Sequence, residues 1–281
     1  INHFQAAGGT GLLFGELIKA GLMHGDAAVC FGGTLETACI EPFLDDDSLQ
    51  WRPAAEKSLD LEVIRPTGNV FAPEGGIRLL QGNLGRSLIK TSAVDSDRHH
   101  ITAPAVVISH QNELRPLFER GELDRDCIIV ARFQGPAANG MPELHQLMPT
   151  LGVLQDRGHA VALVTDGRLS GASGKVPAAI HVTPEAARGG AIGRIQNGDI
   201  ISLNAATGEL SVALEDNALA NRPHAEPPVE KLTVGRGLFG FSREVVSDAE
   251  CGGCTLFGPP VIDTLSEPER SHAAVYEHCA S

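Results

Sequence analysis

Aromatic side chains are scarce in this sequence: they make up 4% of 281 residues, with a single Trp and a single Tyr. Packing is therefore mostly aliphatic. No apolar run approaches the ~20 residues of a membrane-spanning helix, and nothing at the start resembles a secretory signal. The expectation is a cytoplasmic protein with no membrane partner. Basic residues are also in short supply, 22 Lys and Arg against 35 Asp and Glu, for a net charge of −13. Neutralising nucleic-acid phosphates needs a basic surface, so nucleic acid is excluded as the main partner. An anionic small substrate is not, because local cations can outweigh the global sign. Six cysteines are too sparse for a disulfide scaffold. Cys251 and Cys254 form a C-x-x-C in a Gly- and Pro-rich tail with no second pair beside it, and Cys30 and Cys39 read as core residues. The missing initiator Met, with Ile1 already inside an amphipathic pattern, suggests a chain that begins mid-protein.

What is present is a soluble globular composition, 42% apolar and 20% charged, punctuated by 32 Gly and 17 Pro. Residues 5–40 read as helical, with Leu12, Leu13, Leu17, Ile18 and Leu22 near helical spacing. Gly9-Thr10-Gly11 is not followed by the third glycine of a dinucleotide fingerprint and reads as close helix packing. A second short helical piece is expected at 34–40. The acidic run Asp45-Asp46-Asp47 reads as a solvated connector. From about residue 63 short strands take over: 63–64, 77–80, 87–93, 105–109, 127–133, 161–165 and 200–204, with 210–214 after a turn at 207–209. Helical pieces are expected at 112–120, 141–151 and 184–188. The tail after Asn221 carries one amphipathic piece, 237–246, and is expected to fray.

Two loops carry chemistry-bearing side chains, each at the end of a buried strand, where reactive groups tend to sit. After strand 161–165 the chain reads TDGRLSGASGKV (165–176), placing Asp166, Arg168, Ser170 and Lys175 close together. A phosphate-cradling P-loop needs Gly-x4-Gly-Lys-Ser/Thr, and here Val176 follows Gly174-Lys175. A hydrolase elbow needs Gly-x-Ser-x-Gly, and neither Ser170 nor Ser173 has that frame. What remains is a serine among backbone N–H groups and two cations, next to a carboxylate: an anion site, or a serine activated as a base. The alternative is an ordinary turn with surface Arg and Lys. After strand 127–130 comes RFQGPAANGMPELH (132–145). Pro142 is expected to open a helix, with Glu143 in its first turn, where the dipole favours a carboxylate. A carboxylate held that way suits a hard cation such as Mg²⁺, although helix stabilisation alone also explains it. His145 reads as a surface histidine.

The two loop motifs, the 165–176 one extended through TPEA (183–186), together with residues 1–13, resemble the dihydroxy-acid dehydratase and 6-phosphogluconate dehydratase family, its 6-phosphogluconate branch in particular. The resemblance runs to about residue 245 and implies the C-terminal half of an enzyme about twice as long. It implies an α/β protein: the helical end of an N-terminal α/β domain with its linker (1–62), a β-rich, barrel-like swivelling α/β domain (63–225), and a C-terminal helix with a flexible tail (226–281). It also implies dehydration of 6-phospho-D-gluconate to 2-dehydro-3-deoxy-6-phosphogluconate in the Entner–Doudoroff pathway, by a homodimer. An iron–sulfur cluster, 4Fe–4S or 2Fe–2S, would act as Lewis acid through ligands in the other half, with Mg²⁺ nearby, leaving the isolated fragment inactive. Carried over by position, Ser170 becomes the base that removes the C2 proton, and Glu143 a Mg²⁺ ligand. Arg168, Gly171, Ser173 and Lys175 become substrate-binding residues. A helix starting near Lys175 would help that lysine hold the phosphate, and Arg86 and Lys90 are candidates for the second anionic end. If Ser170 and Glu143 serve one substrate, they lie within about 10 Å of each other. Another sugar-acid or dihydroxy-acid dehydratase, or a non-catalytic anion-binding or dimerisation domain, remains the alternative.

Overall fold

A computed structural model describes residues 1–170, 174–229 and 234–256. By internal contacts the chain divides into two compact units, Ile1–Glu74 and Gly75–Ser281.

The first unit has two helices, α1 (Asn2–Ala6) and α2 (Gly9–Lys19), and an antiparallel hairpin, β1 (Ile40–Asp45) with β2 (Ser48–Pro53). Gly11 is where α2 meets the base of the hairpin: a methyl there would lie 2.6 Å from Ala54 Cβ and 3.1 Å from the Ile40 carbonyl. The glycine run therefore serves close packing. The acidic run is the hairpin turn. Asp46 and Asp47 have φ of 43° and 62°, the left-handed pair that a two-residue turn needs and that Asp tolerates. Residues 34–40 are turn and strand entry rather than helix. Val63-Ile64 form no strand; Ile64 is buried in a small cluster with Ala7 and Leu12.

The second unit is a closed eight-stranded barrel of mixed direction. Its strands are β3 (Ile77–Gly82), β4 (Gly85–Lys90), β5 (His100–Ile108), β6 (Cys127–Ala131), β7 (Val161–Thr165), β8 (Ala178–Thr183), β9 (Ile200–Asn204) and β10 (Glu209–Val212), in the order β10-β3-β4-β8-β7-β6-β5-β9. Strands β5 to β8 run parallel. β6 and β7 are buried at every residue because both faces are covered, which is why they read as unbroken apolar runs. Ile128 and Val130 point into the barrel with Leu80, Ile89 and Leu203. Cys127 and Ile129 point outward, under α3 (Leu114–Glu119) and α5 (Met148–Asp156), whose Leu114, Leu151 and Leu154 complete an outer core.

Two expected helices are not found here. Among the described residues no helix starts near Lys175. Pro177 disfavours a helical Val176, and the chain enters β8, with Ala178 and Ala179 paired to Leu163 and Val164 of β7. Nor does a helix open at Pro142. Met141 has φ of 51°, the following segment bridges Glu143 to Arg168, and helical structure resumes only at His145–Leu147. In the described part of the tail, α7 (Val234–Leu238) and α8 (Gly240–Val245), the second within the expected 237–246 piece, are tied to the barrel. Arg188 donates to the Val246 carbonyl at 3.1 Å, and Arg86 pairs with Glu250 at 2.7 Å. Of the expected flexible tail, residues 257–281 lie outside the described residues.

Candidate functional site

Because Ala131 and Thr165 are register partners at the ends of adjacent parallel strands, the two loop motifs emerge side by side. Carboxyl ends of parallel strands are where α/β proteins hold their ligands. Asp166 joins the loops. Its fully buried carboxylate accepts from the N–H of Phe133 (3.1 Å), Gln134 (2.8 Å) and Ala186 (2.9 Å). Burial pushes its pKa up to about 6, against the pull of those three N–H groups. Asp166 is thus a structural clamp, although its position in the loop had made it look reactive. Glu185 is a second clamp, accepting from Ala137 and Ala138 N–H at 2.8 and 3.0 Å at the start of α4 (Pro136–Asn139). Burial raises its pKa also.

Gly135 makes room for that contact. A methyl there would collide with Glu185 Oε2 and lie 2.8 Å from its Cβ. Gly135→Ala is expected to cost about 2 kcal/mol or more by evicting the carboxylate. Urea unfolding of the full-length protein measures this, and combining it with Glu185→Ala should lose less than the sum of the two.

Glu143 is the centre of the exposed side. Its Oε1 accepts the Ser170 N–H at 2.9 Å, and its Oε2 is 3.2 Å from the Arg168 guanidinium. Arg168 also donates from Nε to the Met141 carbonyl at 2.7 Å. A serine Oγ lies within about 4 Å of its own backbone N, so the Ser170 hydroxyl is within about 7 Å of the Glu143 carboxylate. Glu143 is thus fixed by a cation and a loop amide, with no helix dipole involved. Ser170 lines a cavity of about 240 Å³ that it shares with Lys90 and Leu88. Arg168 lines a larger one of about 910 Å³ with Met141 and His181.

Lys175 lies elsewhere. Its ammonium is 2.7 and 2.9 Å from the two Asp156 oxygens, on the outside of α5. Arg86 is likewise committed, to Glu250. Gly171 and Ser173 lie outside the described residues. His145 is exposed.

Several site residues had no signal beyond lying in a quoted motif. Gln134 is buried, donates to the Ser109 carbonyl at 2.7 Å and receives Asn139 Nδ2 at 3.1 Å. Phe133, Met141 and His181 are non-glycine residues with φ near +60°, a conformation that persists only where surroundings impose it. Arg236 of α7 reaches Asn139 Oδ1 at 2.8 Å. Only tertiary structure brings it there.

Among the described residues, no three His, Cys, Asp or Glu side chains are grouped to hold a metal. Cys127 is buried in the outer core, which pushes its thiol up to about 11 and disfavours the thiolate a cluster needs. Cys251 is disulfide-bonded, and not to Cys254, so the C-x-x-C is not a pair with itself. Cys30 is exposed and Cys39 half-buried, so neither is the core residue expected, and no three of the described cysteines are grouped to hold an iron–sulfur cluster. Glu143 does fit Mg²⁺, as one hard oxygen donor on a partly exposed edge. No helix among the described residues is long and apolar enough to cross a membrane.

The sequence that builds this site is similar to that of known proteins. The family described as dihydroxy-acid/6-phosphogluconate dehydratase, C-terminal, matches residues 62–253. The phosphogluconate dehydratase of Escherichia coli (strain K12) is 53% identical over 260 residues, 92% of this chain and 43% of the relative. That of Pseudomonas aeruginosa is 50% identical over 257 residues, 91% and 42%. The dihydroxy-acid dehydratase of Wolinella succinogenes is 34% identical over 225 residues, 79% and 39%. The chain thus spans less than half the length of the relatives it matches. With both loop motifs inside the matched region and folded against one another, the chain belongs to the dihydroxy-acid/6-phosphogluconate dehydratase C-terminal family.

Proposed function

We propose that the full-length enzyme carrying this chain dehydrates 6-phospho-D-gluconate to 2-dehydro-3-deoxy-6-phosphogluconate, as a cytoplasmic homodimer of the Entner–Doudoroff pathway. One observation carries the reading: a single carboxylate, Glu143, holds both the Ser170 N–H and the Arg168 guanidinium. The C2–H bond breaks, the C3 hydroxyl leaves as water, and the resulting enol becomes the ketone. Ser170 Oγ takes the C2 proton. A serine does so only as an alkoxide stabilised by nearby N–H groups and a cation, and Arg168 is that cation. Glu143 serves as one Mg²⁺ ligand. When bound, Mg²⁺ supplies charge to hold the substrate carboxylate. Glu143 and Ser170 are joined by a hydrogen bond, so a substrate held at one presents its C2 to the other. The iron–sulfur cluster of this reading is held by residues outside this chain. A non-catalytic anion-binding or dimerisation module needs only the 166–175 loop and gives the Glu143–Ser170 bond no use.

The test is formation of a 2-keto acid from 6-phosphogluconate by the full-length, metal-loaded enzyme. Turnover of a dihydroxy acid but not of 6-phosphogluconate would sink the reading. Glu143→Gln should raise the Mg²⁺ concentration for half-maximal activity about tenfold or more. An unchanged Mg²⁺ dependence removes Glu143 from the metal shell. Light scattering of the full-length enzyme checks the dimer.

A further inference from the structure

The cavity beside Arg168 has an unusual lining for so acidic a chain. Around its 910 Å³ stand Arg168, Arg236, Arg243 and His181, with Asn139 and Ser242, and no Asp or Glu among the described residues that line it. The whole chain carries 13 more acidic than basic residues, so this concentration of one sign runs against the composition. Arg168 pairs with Glu143, while Arg236 and Arg243 have amide and carbonyl oxygens among their acceptors. Arg236 donates to Asn139 Oδ1 at 2.8 Å and to the Ala138 carbonyl at 3.3 Å. Arg243 donates to the Arg236 carbonyl at 3.1 Å and makes no ion pair among the described residues. Burial, then repulsion from Arg243, pushes the pKa of Arg236 below the usual arginine range. Burial, then Arg168, does the same to His181. Like charges gathered round a hollow raise one another's energy unless an anion joins them.

Arg168 ties this hollow to the reacting end, since the same side chain also holds Glu143. A phosphorylated sugar acid has two anionic ends. Its carboxylate belongs with Glu143 and its metal, which leaves a dianion several carbons away to be met by planar, multi-donor cations. Lys175, neutralised by Asp156, is not placed to do so.

We infer that the cavity lined by Arg168, Arg236 and Arg243 binds the phosphate ester of the substrate, making the segment carrying α7 and α8 the element that selects phosphorylated over unphosphorylated sugar acids. The inference rests on the reaction proposed above and assigns a subsite within it.

Arg243 gives the sharpest test, made in the full-length enzyme. Arg243→Met should lower the ratio of kcat/KM for 6-phosphogluconate to kcat/KM for gluconate about ten- to a hundredfold. Inorganic phosphate, titrated calorimetrically, should bind the parent enzyme, compete with 6-phosphogluconate, and bind Arg243→Met more weakly by a similar factor. Arg243→Lys, which keeps the charge but not the fork, should fall between the two. A ratio and a phosphate affinity both within about twofold of the parent overturn the inference. So does a parent enzyme that binds no phosphate, which needs no variant to fold. If the parent dehydrates neither acid, the reaction reading has failed, and the titrations still decide the subsite: phosphate bound by the parent and lost with Arg243 supports it.

Discussion

Replacing Ser170 by alanine in the full-length enzyme is expected to cut turnover of 6-phosphogluconate by about two orders of magnitude or more, with KM changed far less. The hydroxyl is the proposed proton acceptor, whereas the contact that positions this part of the loop is made by the backbone. Glu143 accepts the Ser170 N–H, and alanine keeps that N–H. Alanine therefore removes the acceptor and leaves the hydrogen bond in place, which separates chemistry from loop placement. Pre-steady-state release of the C2 proton, followed with substrate deuterated at C2, is the direct measurement. Turnover near that of the parent would assign the base to another group.

The second large effect is on stability. Asp166→Ala orphans three buried N–H groups, those of Phe133, Gln134 and Ala186. Each unsatisfied donor costs about 1–3 kcal/mol, so a loss of about 4 kcal/mol or more is expected. Asp166→Asn should cost about half as much. Its carbonyl can serve the two donors now shared by Oδ2, but its NH2 would face the Gln134 N–H. Thermal melting of the full-length protein ranks the two variants, and equal melting of all three proteins would refute the clamp. The pH dependence has a definite sign. The folded pKa is raised to about 6, above that of an unfolded aspartate, so the native state holds this proton more tightly. Asp166 therefore contributes stability at low pH that is lost as pH rises from about 4 through about 6, at up to about 1.4 kcal/mol per unit. The gap between parent and Asp166→Asn should narrow over that window. A gap that widens would mean the carboxyl is held below its ordinary value.

How much of this was legible in the sequence follows the range of the interactions involved. Strands 161–165 and 200–204 are as their residues predict: the first, buried on both faces, is apolar for four positions running, and the second buries alternate residues, Ile201 and Leu203. The two loops could be found for the same reason, since each begins where such a run stops, and their wording alone identifies the family. The 141–151 helix was misjudged because local rules favour Pro142 at a helix start, while a tertiary bridge from Glu143 to Arg168 holds that segment extended. Lys175 looked like an anion anchor until α5 brought Asp156 against it. The tail was the least legible part. Its helices have five and six residues, too short to be stable by themselves, and nothing local says where they dock. Composition and short-range pattern thus determined the barrel strands, the motifs and the family. Only the tertiary structure decided that Asp166 clamps the two loops, that Glu143 reaches Ser170, and that Arg236 and Arg243 face Arg168 across a cavity. The clamp and the Glu143 contact join residues 20 to 33 positions apart, and such separations are closed by tertiary packing, which no local spacing records.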